Sequence, residues 1–143
     1  MTQKKIHEAV ISIINTNNLK EFFNYLNNEL PNLFHLEIVN IVCTKKELSS
    51  KYNLIFLEQK EVEKTYRLNN HFIMDAVDDE TILYRNIKKK IYSNAIFSLN
   101  IKSLNFFPLL IFASTDKHFV SNRAYDLILF LSKIIQFKLR KLY

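Results

Sequence analysis

Apolar residues along this chain change period several times, and those changes mark its elements. From the start, Ile6, Val10, Ile13 and Ile14 share one helical face, with Lys4, Lys5, Glu8 and Ser12 largely opposite, which predicts a helix to about Asn15. A second helix opens at Asn18, with Glu21 three residues on in the manner of a capping box. Leu19, Phe22, Phe23, Leu26 and Leu30 form its apolar stripe, and Pro31 is expected to stop it. Leu36 to Cys43, rich in Ile and Val, then reads as a central strand. Tyr52 to Glu58 reads as a second strand after a polar loop over Thr44 to Lys51.

The middle is less regular. Gln59 to Leu68 is charged and helix-permissive, His71 to Ala76 is short and apolar, and Glu80 to Ile91 suits a helix with Ile82, Leu83, Ile87 and Ile91 inward. Asn94 to Ile101 and Phe107 to Ser114 follow as hairpin strands, Pro108 being tolerable at a strand start or edge. Tight turns are expected at Asn69-Asn70, Asp78-Asp79 and Lys102 to Asn105, where Asn, Asp and Ser cluster.

Asn122 to Tyr143 forms the longest periodic segment. At about 100° per residue, Leu127, Ile128, Phe130, Leu131, Ile134, Ile135, Phe137, Leu139 and Leu142 span an arc of roughly 200°. Covering one core needs a stripe only a little over 100° wide. Asn122 is the predicted N-cap, and Lys138, Arg140 and Lys141 suit the negative end of the helix dipole. Two readings are open. Either the helix belongs wholly to the core of a monomer, with Phe130 and Phe137 under a loop, or one edge of its arc is given to a second chain. The second makes Ile128, Phe130, Ile135 and Phe137 the candidate interface of a homodimer.

The predicted order is helix, helix, strand, strand, a variable middle, strand, strand, helix. That is an α+β domain spanning residues 1–143, with an antiparallel sheet and the N- and C-terminal helices packed on one face. Its 143 residues, 48% of them hydrophobic, suffice to bury a core without disulfides or metals.

Cys43 is the sole cysteine, so no intrachain bridge can form and a cytoplasmic setting is expected. In a strand, with no evident activating cation, it reads as a buried, inert thiol. The most lipid-like stretch, Ala95 to Ser114, is interrupted by Asn100, Lys102, Asn105 and Pro108, so no membrane span is predicted. The N-terminus has no signal-peptide pattern.

The net charge of +6 draws attention to Lys88, Lys89 and Lys90, yet the arginines are scattered at 67, 85, 123 and 140. A solvated lysine face is the favoured reading and nucleic acid the disfavoured one. The chain has no glycine, which excludes the phosphate-cradling loops that need positive φ and close backbone approach. His7, His35, His71 and His118 lack paired spacing, so neither a metal site nor a cofactor is predicted. Asp75, Asp78, Asp79 and Glu80 read as a solvated loop. A nucleophile at Ser114-Thr115-Asp116 would need a histidine in reach, and His118 is the only near one in sequence.

A pocket, if formed, is expected on the sheet face away from the terminal helices. Tyr66, Arg67, His71, Met74, Tyr84 and Arg85 offer the aromatic and donor groups it would use, although Tyr66, Met74 and Tyr84 equally suit a core.

Three stretches carry a resemblance to a known family. They are residues 3–10 (Gln-Lys-Lys-Ile-His-Glu-Ala-Val) leading to Leu30, residues 92–99 (Tyr-Ser-Asn-Ala-Ile-Phe-Ser-Leu), and residues 109–119 (Leu-Leu-Ile-Phe-Ala-Ser-Thr-Asp-Lys-His-Phe). In this order the chain resembles the bacterial GAF-like family called domain of unknown function 484. Tyr92 stands where that family commonly has arginine and Ala113 where it has glycine, and the glycine opening its last strand is absent. Family members usually carry a further N-terminal helical segment, and this chain begins about where their GAF-like portion begins. The resemblance implies a GAF fold and a noncatalytic sensory or interaction module, since GAF domains bind small molecules in some proteins and only dimerise through terminal helices in others. A small-molecule-responsive regulator and a weakly nucleic-acid-associated accessory protein are the alternatives.

Overall fold

The computed structural model describes residues 2–65, 72–77, 83–101, 108–119 and 125–143. Helix α1 (Gln3–Ile14) is capped by the Thr2 hydroxyl, which accepts from the Lys5 amide at 3.3 Å. Asn18 caps α2 (Leu19–Asn24): its Oδ1 accepts from the Glu21 amide at 2.9 Å, and its own side-chain amide donates to the Glu21 carboxylate at 3.1 Å.

Pro31 does not end the second helix. The chain passes through a π-helical turn (Tyr25–Glu29) into α3 (Leu30–Phe34), with Pro31 in its first turn. A proline ring clashes with the carbonyl four residues back and lacks an N–H to bond it. The wider turn, in which Leu30 N–H reaches back to the Tyr25 carbonyl, relieves that conflict. His35 then closes α3 in the left-handed conformation, at φ 56°.

Strand β1 (Ile38–Cys43) leads to α4 (Lys46–Tyr52), where a polar loop was expected. Leu48 and Tyr52, one turn apart, pack against the main core, and the buried Ser49 hydroxyl donates to the Lys45 carbonyl at 2.9 Å. Because α4 acts as a crossover, the short β2 (Ile55–Phe56) runs parallel to β1. The sheet is therefore mixed, a correction to the antiparallel expectation. Helix α5 (Gln59–Thr65) and strands β3 (Phe72–Ala76), β4 (Ser93–Ser98) and β5 (Leu109–Ser114) follow, then α6 (Tyr125–Leu142).

Between β3 and β4, the described residues from Leu83 to Ile91 form turns and not the expected helix. Leu83 is drawn into the core, whereas Val77 N–H bonds the Tyr92 carbonyl and Tyr92 N–H bonds the Ser114 carbonyl, which pulls the far end into sheet geometry. The three expected tight turns, and the Asn122 cap, lie outside the described residues.

The five-stranded sheet has the order β2-β1-β5-β4-β3, with every pair but β1–β2 antiparallel. Alternation along the strands sorts its side chains onto two faces. Val39, Ile41, Cys43, Ala95, Phe97, Leu110 and Phe112 join the helices from both termini in the larger cluster. Val42, Ile96, Leu109 and Ile111 meet Leu57, Val62 and Leu83 on the other face. The α+β class and the shared face for the terminal helices are thus both observed.

Candidate interaction surface

Helix α6 sits between two neighbours that fix its rotation. On one flank the Lys138 ammonium donates to the Ile14 carbonyl at the end of α1, at 2.8 Å. On the other, Arg140 donates through Nε and Nη2 to the Asn100 carbonyl at 2.8 and 2.6 Å, and Gln136 Oε1 accepts from the Asn100 amide at 2.7 Å. With both flanks held, Ile128, Leu131, Ile135 and Leu139 point into the core.

The remaining face carries Phe130 and Phe137, which are 47% and 53% exposed, while Ile128 and Ile135 are 0% exposed. This corrects the candidate interface in part: Ile128 and Ile135 lie in the stripe that covers the sheet and present no surface. Phe130 and Phe137 lie on the opposite side of the helix. Leu127 and Ile134, half-buried, border them toward α1.

Helix α1, whose Ile14 carbonyl accepts from Lys138, leaves Ile14 and Ile11 54% and 60% exposed. Val10 and Ile13 pack inward, and the same helix still presents two further isoleucines outward. Both terminal helices thus leave large apolar side chains exposed, and the Lys141 ammonium lies 4.7 Å from the centre of the Phe137 ring. Where such exposed apolar side chains adjoin, they mark interaction sites on folded proteins.

The three expected pocket residues that are described, Met74, Tyr84 and Arg85, do not converge. Met74 pairs with Ala95 in the β3–β4 register and packs into the cluster under the terminal helices. Tyr84 packs on the opposite face and accepts a hydrogen bond from the Asn94 side-chain amide at 2.8 Å. Neighbouring strand positions project to opposite faces, and register decides which goes where. Arg85 is exposed and lies 3.7 Å from the Glu61 carboxylate. Tyr66, Arg67 and His71 lie outside the described residues, as do Asp78, Asp79 and Glu80.

Around Ser114, the hydrogen bonds build a turn. The Ser114 hydroxyl donates to Asp116 Oδ1 at 2.7 Å, and that oxygen also accepts from the His118 backbone N–H at 2.8 Å. Ser93, fully buried, donates its hydroxyl to the Asp116 carbonyl at 2.6 Å and accepts from the Phe119 amide at 3.1 Å. The Ser114 and His118 hydrogen bonds together hold the Asp116 carboxyl below its usual range. Burial pushes the His118 ring below the ordinary imidazole value, and its Nε2 is buried without a partner among the described residues. Here His118 serves through its backbone, and Ser114 faces a carboxylate instead of an imidazole.

Cys43 is buried, its thiol donating to the Lys45 carbonyl at 3.4 Å and accepting from the Lys45 amide at 3.3 Å. Among the described residues no three His, Cys, Asp or Glu side chains gather as a metal site would require. None of the described helices is long and apolar enough to cross a membrane.

Of the lysine run, Lys89 lies 3.8 Å from the Glu37 carboxylate. A second group of three lysines is found elsewhere. Lys45, Lys46 and Lys51 line a hollow of about 470 Å³ with Glu47, Leu48 and Tyr143. It joins α4 to the last residue of the chain, and sequence spacing gave no signal of that meeting. Compared with known proteins, the chain matches no family model and no curated sequence.

Proposed function

We propose that this chain is a noncatalytic, GAF-like sensory or interaction module, acting in the cytoplasm, that self-associates through its terminal helices. The carrying observation is the exposure of Phe130 and Phe137 on α6, and of Ile11 and Ile14 on α1, on two helices whose other faces already cover the sheet. Large apolar side chains left outward beside a complete core are accounted for by a partner surface. The mixed sheet with both terminal helices on one face is compatible with the GAF-like resemblance.

Light scattering coupled to size exclusion tests the proposal. A dimer at high micromolar concentration, converted to monomer by Phe130→Glu or Phe137→Glu with unchanged circular dichroism, supports it. A monomer throughout refutes it.

A further inference from the structure

We infer that two copies of the chain meet through α6 laid antiparallel on the α6 of the second copy, about a two-fold axis passing between Lys133 and Ile134. This rests on the self-association proposed above and adds its geometry.

Opposite the buried stripe, the outward face of α6 carries Asp126, Phe130, Lys133, Phe137 and Lys141, successive members three or four residues apart. Such spacing makes a continuous seam on one side of a helix. The order of chemistry along it is not arbitrary with respect to pairing. Phe130 and Phe137 are equidistant from the midpoint of Lys133 and Ile134, and so are Asp126 and Lys141.

Antiparallel pairing about that midpoint therefore sets Phe130 against the partner's Phe137 and Asp126 against the partner's Lys141. Symmetry repeats both contacts. Each Lys141 already lies over its own Phe137 ring, one turn away, and each Asp126 stands one turn before its own Phe130. The cation and ring of one copy thus confront the carboxylate and ring of the other. Lys133 lies at the axis, where its stem can cover the partner's Ile134 while the ammonium reaches water.

Parallel pairing would do the reverse. Asp126 would face Asp126 and Lys141 would face Lys141, like charge on like charge at both ends of the seam, whereas Lys133 meets its own copy in either arrangement. It would also align the two helix dipoles, which the antiparallel arrangement opposes. An isologous two-fold contact of this form closes on itself and stops at two copies.

Variants of the full chain with introduced cysteines test the geometry, and the native thiol of Cys43, being buried, keeps the background low. Under mild oxidation, Ile134→Cys or Lys133→Cys is expected to give a disulfide-linked dimer, because a position beside the axis meets its own copy. Phe130→Cys and Phe137→Cys are each expected to remain unlinked alone and to link when combined in one chain.

In light scattering, Asp126→Lys is expected to raise the dimer dissociation constant roughly tenfold or more, and Asp126→Lys with Lys141→Asp to restore it. Cross-linking of Phe130→Cys and Phe137→Cys each on its own, or a double charge swap that fails to rescue a dimer weakened by the single one, overturns the antiparallel arrangement and leaves self-association standing. A wild-type chain that stays monomeric at high micromolar concentration removes both.

Discussion

Asn94 on β4 donates its side-chain amide to the Tyr84 hydroxyl at 2.8 Å, tying the turn after Leu83 to the sheet face away from the terminal helices. Asn94 is almost fully buried, so its amide depends on that phenolic oxygen. Tyr84→Phe is expected to destabilise the fold by about 1–2 kcal/mol, the cost of leaving a buried donor without its acceptor. Urea denaturation with an unchanged m-value reads this directly. Tyr84→Phe at wild-type stability would show that water replaces the bond.

A larger loss is expected at Ser93. Its hydroxyl bonds both the Asp116 carbonyl and the Phe119 amide inside the protein. Ser93→Ala strands two backbone groups at once, and about 2–4 kcal/mol should be lost, whereas Ser114→Ala, which frees the exposed Asp116 side chain, should cost less. Thermal melts of the two variants side by side rank them.

Ile135 and Phe137, two positions apart on α6, should respond in opposite ways. Ile135→Ala opens a cavity in the main core and is expected to lower stability by about 2–5 kcal/mol. Phe137→Ala removes an exposed ring and should change the fold's own stability by about 0.5 kcal/mol or less while weakening self-association. Denaturation at low protein concentration separates the two effects, since dimer linkage fades on dilution.

The pH dependence follows from His118. Its folded-state value is depressed, so the unfolded chain takes up a proton first as pH falls. Its contribution is fully present above the unfolded value of about 6.5 and is lost as pH drops from there through the lower folded value. Asp116, also depressed, contributes above the ordinary aspartate value and loses that contribution in more acidic solution. Urea midpoints should therefore fall between about pH 7.5 and pH 5.5 in the wild type, and less so in His118→Gln. Equal slopes in the two proteins would remove His118 as the source.

How much of this was legible in the sequence depends on the range over which each signal acts. The period of α6 is local, so its extent and its surplus of apolar arc could be read directly. Which part of that arc covers the sheet could not, because Lys138 on Ile14 and Arg140 on Asn100 set the rotation through contacts distant in sequence. Likewise, the short apolar run of His71 to Ala76 was visible, but placing Met74 under the terminal helices and Tyr84 on the other face needs the pairing of Met74 with Ala95 and the hydrogen bond from Asn94 to Tyr84. Helix α4 escaped notice because seven residues give too little period to register. Pro31 misled because the π-helical turn that accommodates it has no sequence mark of its own.

His35 and Asn53, both at φ 56°, end α3 and α4 in a backbone region that disfavours any side chain bearing Cβ, in a chain that contains no glycine. Asparagine tolerates that region and histidine does so less readily, so the first of these bends holds a reserve that a single codon change can release. His35→Gly should raise the melting temperature by several degrees, about 1 kcal/mol in a domain of this size, without moving any other part of the molecule.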